Sequence, residues 1–386
     1  MAGQHGLIDT TAKVEGGAAL FGAVLRGYRV RLGVSQRELA VRSTVSVRAI
    51  RDLEVGRASR PRRDTVGLLA RGLALSVRER LELELAAGQV SVRAGPVALD
   101  EVIGRDAEVA VLRELLATGR QRSVTLTGLA GVGKSTLAVR AAEELHRAYG
   151  LPVLWDPVAA PAELARMVGR QQALVVCDGT DPGDLVEVLR ESPGLRVLVT
   201  ARAPAAVPGR RTVPVTPLPV PRGGEDPAAL AAVPAVRLLL AHARRLRPDF
   251  VLGAGNAAAV AALCQRLDGL PAALESAACW LLVAEPGDLL AVDPFDLLGE
   301  DLPELRRSLL AALGSLDPLE SATLAGLCDA GGWTIAEAAA RTGIPVLRCA
   351  RAVRRLLLLG LVRPVGHGAR DRFQVLALLR RQLGGS

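Results

Sequence analysis

Aromatic residues are scarce in this 386-residue chain: four Phe, three Trp and two Tyr. Proteins that bind single-stranded nucleic acids stack bases on exposed aromatic rings. The scarcity therefore argues against a binder of that kind. It also predicts cores built from Leu, Val and Ala, which a 50% apolar composition supplies in quantity.

No stretch of the sequence has the run of about 18 apolar residues that a membrane-spanning helix needs. Arginines such as Arg237 and Arg244 interrupt the Ala/Leu-rich stretches beyond Leu230. The first residues also lack the basic head and apolar block of a signal peptide. These absences predict a cytoplasmic protein.

Cysteine is sparse and dispersed, with no CxxC pair and no Cys/His cluster. An odd number of widely spaced cysteines argues against a disulfide framework, and a zinc site needs clustered ligands. The pattern predicts a reduced chain without zinc. The five cysteines are Cys177, Cys264, Cys279, Cys328 and Cys349.

The charge of the chain is unevenly distributed. Residues 1–95 hold 16 basic and 9 acidic residues, a net of +7, whereas the remaining 291 hold 32 and 31, a net of +1. An excess confined to the first quarter predicts that this part meets a polyanion. Lysine is almost absent, since only Lys13 and Lys134 stand against 46 arginines.

The order of sequence patterns predicts a multidomain protein. A flexible Gly-rich arm (1–17) precedes an all-α region of short helices (18–92). Strands then alternate with helices over 100–216, which is typical of an α/β domain with a parallel sheet. A helical region (217–298) follows, and then a region that is helical until a final β-hairpin (299–386). Strands are predicted at 124–127, 153–155, 173–177, 196–200 and 213–215, and helices at 233–247 and 257–283.

Two short helices with a tight turn are predicted in the N-terminal region. Ser35 and Glu38 have the spacing of a capping box, in which each side chain bonds the other's backbone N–H. Ser46 is the expected N-cap of the second helix, 47–54. On that helix Arg48 and Arg51 share the face opposite the apolar residues. This arrangement predicts a helix-turn-helix whose second helix enters the major groove.

A basic loop follows the second helix and suits contacts to DNA phosphates. Charge alone leaves an alternative open, because a small helical bundle with a solvated basic face has the same composition. The spacing of the two helices favours DNA. The basic residues of the loop are Arg57, Arg60, Arg62 and Arg63.

The segment SQRELAVRSTVSVRAIRDLEVGR closely resembles the helix-turn-helix of the Cro/repressor-like (XRE) family. The resemblance covers about residues 19–84. It implies double-stranded DNA as a partner, with Gln36 on the backbone and with Val47, Arg48 and Arg51 facing bases.

Residues 128–135, GLAGVGKS, match the pattern G-x-x-x-x-G-K-[ST] between a predicted strand and helix, which is the context that this motif needs. Such a loop wraps phosphates with backbone N–H groups at a helix N-terminus. The motif assigns Lys134 to the β- and γ-phosphates and Ser135 to Mg²⁺. The alternative is a Gly-rich turn without nucleotide. The predicted cradle comprises Gly128, Gly131, Gly133, Lys134, Ser135 and Thr136.

Two charged residues at predicted strand ends complete the candidate catalytic set. Asp178 ends the apolar strand LVVCD and is the expected second Mg²⁺ ligand or its neighbour. Arg202 follows the next strand and is predicted to contact the γ-phosphate. Its alternative is an ordinary surface arginine.

From about Ile103 to Leu383 the chain resembles the NB-ARC/STAND class of P-loop NTPases, as found in actinobacterial regulators. Ile103, Gly104 and Arg105 resemble the segment that touches base and ribose. The Gly-Leu-Pro sequence that ends at Pro271 resembles the family's helical lid, where this proline lies against adenine. The last region resembles its winged helix. The resemblance implies a switch between a closed ADP state and an open ATP state.

Two departures from that family bear on chemistry. Gly179 stands where the family has an acidic or amide residue that orients water. Val375-Leu376-Ala377 stands where plant-type relatives carry a Met-His-Asp sensor. At most slow ATP hydrolysis is therefore expected.

The sequence as a whole predicts a cytoplasmic transcriptional regulator switched by ATP, ADP and Mg²⁺. A single helix-turn-helix contacts one half-site, so we expect a homo-oligomer in the ATP state. Two alternatives remain open: a productive ATPase, and a nucleotide-dependent oligomeric scaffold without sequence-specific DNA binding.

Overall fold

The computed structural model divides the chain into two compact units. The first takes residues 1–97, 112–123 and 141–199, and the second takes residues 98–111, 124–140 and 200–386. Residues 1–16, which make up most of the predicted arm, and Arg60 of the basic loop lie outside the described residues. The structure describes residues 17–58, 61–87, 91–92, 102–158, 164–165, 168, 172–179, 185–204, 209–298, 302–365 and 372–383.

Five helices form the N-terminal domain, and their apolar faces meet in one core. Phe21, Leu25, Leu39 and Ile50 are each at most 1% exposed. The predicted second helix of the pair is confirmed with its predicted bounds. The helices are α1 (Gly17–Arg31), α2 (Gln36–Ser43), α3 (Val47–Glu54), α4 (Arg63–Gly72) and α5 (Val77–Ala86).

The turn between α2 and α3 is set by local hydrogen bonds. The predicted capping box is confirmed, because Glu38 N–H donates to Ser35 Oγ at 3.1 Å and Ser35 N–H donates to Glu38 Oε2 at 2.8 Å. Thr44 ends α2 in the left-handed conformation, with φ of 57°. Ser46 Oγ accepts from Ala49 N–H at 3.2 Å and starts α3. Each such cap stabilises its helix by about 1 kcal/mol.

Glu54, the last residue of α3, anchors that helix to α1. Arg29 donates to it through Nε at 2.6 Å and Nη2 at 2.9 Å, and Gln36 Nε2 donates at 2.7 Å. The side chains of Arg29 and Glu54 are only 13% and 3% exposed. Burial raises the pKa of Glu54, but the hydrogen bonds from Arg29 and Gln36 outweigh burial and hold it below its ordinary value. The pair therefore fixes α3 in orientation.

A five-stranded parallel sheet forms the α/β region, with strand order β3–β5–β6–β2–β7. Its strands confirm the five predicted ones to within two residues at each end. The strands β2 and β5 are buried almost throughout, as parallel strands covered on both faces are. The strands are β2 (Ser123–Thr127), β3 (Val153–Trp155), β5 (Ala173–Asp178), β6 (Leu195–Ala201) and β7 (Arg211–Pro214), and β1 (Ser91–Val92) pairs separately with β4 (Pro157–Val158). The helices are α6 (Asp106–Ala117), α7 (Lys134–Tyr149) and α8 (Leu185–Glu191).

The prediction of one continuous helix over 257–283 is wrong. The chain breaks after Arg266, because Asp268 and Gly269 are left-handed, with φ of 55° and 68°, and Pro271 starts a new helix. A Cβ on Gly269 would lie 2.2 Å from Leu218 O, so only glycine fits there. The helices of this region are α9 (Pro227–Ala232), α10 (Pro234–Leu246), α11 (Ala257–Arg266), α12 (Pro271–Trp280), α13 (Pro286–Leu289) and α14 (Pro294–Leu298).

The last region is helical up to the predicted hairpin, which is confirmed as an antiparallel pair. A further short helix follows the hairpin. The helices of the described chain are not long and apolar enough to cross a membrane. The elements are α15 (Pro303–Gly314), α16 (Pro318–Leu327), α17 (Ile335–Thr342), α18 (Val346–Leu359), β8 (Val362–Pro364), β9 (Phe373–Val375) and α19 (Ala377–Leu383).

Glu54→Gln should destabilise the N-terminal domain by about 3 kcal/mol, because it leaves the buried guanidinium of Arg29 without its counter-charge. The lowered pKa adds a pH test: the stability contributed by Glu54 should persist at neutral pH and be lost as the pH falls through that pKa. Hydrogen exchange of the slowest amides of α1 to α5 measures both effects. Asp64→Asn, at an exposed carboxylate on α4, is the control. Equal protection in both variants would contradict the anchoring role.

Candidate DNA and nucleotide sites

The predicted base-reading face of α3 is open to solvent. Arg48 is 93% exposed and Arg57 is 76% exposed, and each lies 3.9 Å from a carboxylate oxygen of Asp52. At that distance and exposure an ion pair contributes little, so both guanidinium groups remain available to DNA. Arg51 and Arg62 are exposed as well, and Val47 is 40% exposed. The backbone of Arg63 starts α4, and its side chain lies outside the described residues.

Gln36 has a partner inside the protein. Its Nε2 donates to Glu54 rather than pointing away from the domain. The predicted contact of Gln36 with the DNA backbone would therefore have to use the rest of the side chain, or the amide would have to rotate away from Glu54. The role of Gln36 in joining α2 to α3 was missed by the sequence interpretation.

The glycine loop adopts conformations that only glycine holds without strain. Gly128, Gly131 and Gly133 have φ of 141°, 74° and 94°. Lys134 Nζ donates to Gly128 O at 2.9 Å and to Leu129 O at 2.7 Å. The ammonium group therefore curls over the loop that the motif assigns to phosphates.

The helix after the glycine loop starts at Lys134, so the predicted Mg²⁺ ligand Ser135 lies in its first turn. Ser135 is half-buried and Thr136 is exposed. Backbone N–H groups of a helix N-terminus and left-handed glycines form a concave anion site. The residues present thus fit a phosphate group with its magnesium ion.

Three elements of the second unit cover the glycine loop. Ala272 N–H, at the start of α12, donates to Gly131 O at 3.1 Å. Ala130 N–H donates to Ser308 Oγ of α15 at 3.1 Å. A Cβ on Gly360, which ends α18, would lie 3.0 Å from Leu129 N. The loop is consequently held through its own backbone by α12, by α15 and by the end of α18.

The segment ahead of the sheet also reaches the loop. Arg105, only 4% exposed, donates through Nη2 to Val132 O at 2.9 Å and through Nη1 to Glu108 at 2.9 Å. Ile103 and Gly104 precede it and are half-buried. Pro271 also lies near the loop, since a Cβ on Gly133 would be 3.8 Å from Pro271 Cγ. The structure therefore brings both predicted base-binding segments to the same loop.

A cavity opens beside Gly104. Its volume is about 980 Å³, and its apolar wall includes Pro219, Pro221 and Pro234. This volume is within the range of small-molecule sites. The cavity offers apolar surface beside the segment predicted to contact a base.

Asp178 lies at the end of β5, in the first unit. Its backbone N–H donates to Asp156 Oδ1 at 2.7 Å. Asp156 is left-handed, with φ of 39°, and directly follows β3, which pairs with β5. The sequence interpretation missed this second strand-end carboxylate, although an acidic residue after an apolar strand was the signal that could have found it. Gly179 is left-handed with open space around it.

Arg202 lies in the second unit and makes an ion pair. Its Nη2 is 2.6 Å from Glu304 Oε2 on α15, and the two side chains are 57% and 49% exposed. The predicted γ-phosphate contact is therefore available only if Glu304 releases the guanidinium. The described residues contain no cluster of three or more His, Cys, Asp or Glu side chains suited to a metal ion.

Asp268, at the break between α11 and α12, caps the last helix. Its carboxylate accepts from Ala377 N–H and Leu378 N–H, both at 2.9 Å, and lies 3.8 Å from Arg363 Nε. The side chain is 1% exposed. Burial raises its pKa to about 6, against the opposing effects of Arg363 and the two backbone donors. A buried carboxylate at the helix break thus holds the first turn of α19.

The comparisons with known proteins bear first on the N-terminal domain. Residues 20–83 match the family described as "Helix-turn-helix domain". Residues 20–83 form a helix-turn-helix domain. The match agrees with the three-residue turn and with the exposed face of α3.

Mycobacterial relatives extend the comparison. The chain is 33% identical over 198 residues to "Putative HTH-type transcriptional regulator Rv0890c" of Mycobacterium tuberculosis, covering 43% of this chain and 21% of that protein. It is 29% identical over 225 residues to "Uncharacterized protein Rv0894" of the same species, covering 50% of this chain and 54% of that protein. The chain therefore spans about half the length of relatives such as Rv0894, and it is homologous to proteins named as regulators.

Asp268 should make the folded chain less stable as the pH rises. Its folded pKa of about 6 exceeds the ordinary 3.8, so between those values the folded state binds more protons than the unfolded one. The loss between pH 4 and pH 7 should be about 2.4 kcal/mol. Asp268→Asn should remove this slope, and Asp249→Asn, at an exposed carboxylate, should not. Thermal melts across this range decide the matter, and equal slopes in all three proteins would contradict it.

Proposed function

We propose that this protein is a DNA-binding transcriptional regulator of the NB-ARC/STAND class, switched by ATP and ADP. The observation that carries the proposal is the helix-turn-helix with an exposed arginine face at residues 20–83. The homology of the chain to a protein named as a putative HTH-type transcriptional regulator supports the same function.

The chemistry of α3 favours base reading. Arg48 and Arg51 lie three residues apart near the start of the helix, on a face that the core residues Ile50 and Leu53 leave free. Arginine pairs through two N–H groups with guanine in the major groove. Arg62, ahead of α4, suits a phosphate.

The glycine loop favours a nucleotide. Left-handed glycines, a helix N-terminus, Lys134 and Ser135 supply the donors that a β- and γ-phosphate pair requires. Ser135 would hold Mg²⁺, which neutralises phosphate charge when it is bound. Arg105 and Pro271, which both lie at the loop, favour a base at its side.

Contacts around the loop suggest how occupancy acts as a signal. Ala272, Ser308 and Gly360 all touch the loop's backbone, so the position of the loop is coupled to the lid and to the winged-helix region. A γ-phosphate that draws Arg202 from Glu304 would break a contact that holds α15. The switch needs only different affinities of the two states for ATP and ADP. We propose that the ATP state self-associates.

Hydrolysis is not required for this function. Gly179 has no side chain to orient water, and Asp156 already accepts a hydrogen bond from Asp178 N–H. Loss of a water-orienting group slows phosphoryl transfer by orders of magnitude. We therefore propose a switch with slow turnover or none.

Arg48→Ala or Arg51→Ala in the full chain should lose ~1–3 kcal/mol of discrimination between preferred and scrambled duplexes. Arg62→Ala should weaken both duplexes alike, because phosphates carry no sequence. The preferred duplexes are selected by the full chain from a random-sequence pool, and fluorescence anisotropy measures affinity. Arg113→Ala, at an exposed arginine of α6, is the control. If all variants discriminate equally well, α3 does not read bases.

Adenine nucleotide with Mg²⁺ should stabilise the folded chain by about 2.7 kcal/mol at a hundredfold excess over Kd, since only the folded state binds it. Lys134→Ala should abolish the shift, because it removes the ammonium group from the phosphate loop. Arg147→Ala removes a charge from the exposed end of α7 and should keep the shift. Differential scanning calorimetry with ADP, ATP and GTP measures it. Melting curves unmoved by every nucleotide would contradict a nucleotide site.

A further inference from the structure

The helix pair α17–α18 repeats the capping, the turn conformation and the length of the first helix of the helix-turn-helix at a constant spacing of 299 residues. Residues 35–54 correspond to residues 334–353. Thr334 and Glu337 form a capping box at the positions of Ser35 and Glu38. Gly343 ends α17 in the left-handed conformation, as Thr44 ends α2.

Side-chain contacts follow the same correspondence. Thr342 Oγ1 donates to Ala338 O at 2.8 Å, as Ser43 Oγ donates to Leu39 O at 2.6 Å. Cys349 is buried, as is the corresponding Ile50. In both pairs the first helix has eight residues, and the second starts after three further residues.

The sequence hides this correspondence. Only four of the twenty positions are identical, namely Glu337, Ala339, Arg341 and Val346 with their counterparts. The shared features are residue classes: a hydroxyl cap, a left-handed turn residue and apolar buried side chains. These fix the start of the first helix and the turn after it without fixing the surfaces.

The outer face of α18 carries charge of one sign. Arg348, Arg351 and Arg354 are exposed, and the helix contains no acidic residue. Among the described residues these three arginines make no ion pair and no side-chain hydrogen bond. By contrast, Arg341 donates to Gly326 O. An unpaired arginine row at a helix start is what a phosphate-lined groove attracts.

Apolar side chains extend this face at its tip. Val346 and Leu347 are 57% and 67% exposed. In the major groove, apolar side chains contact the thymine methyl group. The tip of α18 therefore combines two kinds of group that read base edges.

The rest of α18 is committed to the fold. Val353 and Leu356 are buried, and Gly360 at its end packs on the glycine loop. The hairpin β8–β9 follows, and Arg372 on it donates to Gly332 O and pairs with Glu337. These contacts leave the outward face at the N-terminal end of α18 exposed. The C-terminal end of the same helix packs on the glycine loop through Gly360.

We propose that α18 is a second duplex-DNA recognition element, with Arg348 and Arg351 on the DNA and Leu347 at its tip. Duplex DNA is the occupant that the charge selects, since residues 334–360 carry five arginines and one acidic residue. The proposal is independent of base reading by α3.

The test uses the full chain and a random-sequence 30-base-pair duplex, with affinity measured across a salt series in ADP and in a non-hydrolysable ATP analogue. Arg348→Ala/Arg351→Ala should reduce the slope of log affinity against log salt by about 1.8, because each lost phosphate contact removes about 0.9. Arg113→Ala/Arg190→Ala removes two exposed helical arginines elsewhere and should leave the slope unchanged.

A gain of charge guards against a folding artefact. Leu347→Arg should raise the slope by about 0.9, and unchanged melting temperatures show that each variant folds. Repeating the salt series in a chain that also carries Arg48→Ala/Arg51→Ala separates α18 from α3. The α18 variants should change the slope by the same amount in that background. Slopes that match the control in both nucleotide states overturn the proposal. So does a loss of self-association with an unchanged slope, because the face would then bind protein.

Discussion

The backbone of the glycine loop is the constraint on which the second unit depends. Ala272 and Ser308 bond to its amide groups, Arg105 bonds to its Val132 carbonyl, and Gly360 packs on Leu129. A Cβ at Gly131 would lie 2.7 Å from Ala272 Cβ. A side chain at this position of the loop would therefore push α12 away from it. The same lack of side chains that opens a loop to phosphate also permits this close packing.

Charge placement divides the protein's arginines into two groups. Arg29 and Arg105 are largely buried and hydrogen-bonded within the protein, so they act on the fold. Arg48, Arg351 and Arg354 stand in solvent, where weak or absent pairing leaves them free for a polyanion. Because arginine stays charged in both settings, the chain can use one residue type for both tasks.

Asp268 shows how one helix break joins distant segments. Its left-handed backbone ends the α11 region, and its buried carboxylate caps α19 about a hundred residues later in the sequence. A buried carboxylate is costly unless backbone donors and a cation compensate it. Here both are present, although burial outweighs them and raises the pKa of Asp268 to about 6. The carboxylate ties the first turn of α19 to the break before α12.

The sequence by itself determined the elements that depend on local chemistry. The capping box of Ser35 and Glu38, the bounds of α3, the hairpin and the five strands follow from short-range hydrogen bonds and from burial patterns, and they were predicted correctly. The glycine loop was recognisable because its motif fixes residue types at fixed spacing. The exposed arginine face of α3 followed from helical periodicity.

Only the tertiary structure decided which distant groups meet. The pairing of Glu54 with Arg29, the ion pair of Arg202 with Glu304 and the Asp268 cap join residues far apart in sequence, which no periodicity encodes. The single helix predicted over 257–283 does not form, because Asp268 and Gly269 adopt the left-handed conformation and Gly269 packs against Leu218. The likeness of α17–α18 to α2–α3 could not be predicted from sequence identity, because only four of the twenty positions are identical. The two pairs share the types of residue that cap the first helix and that are buried, whereas their surface residues differ.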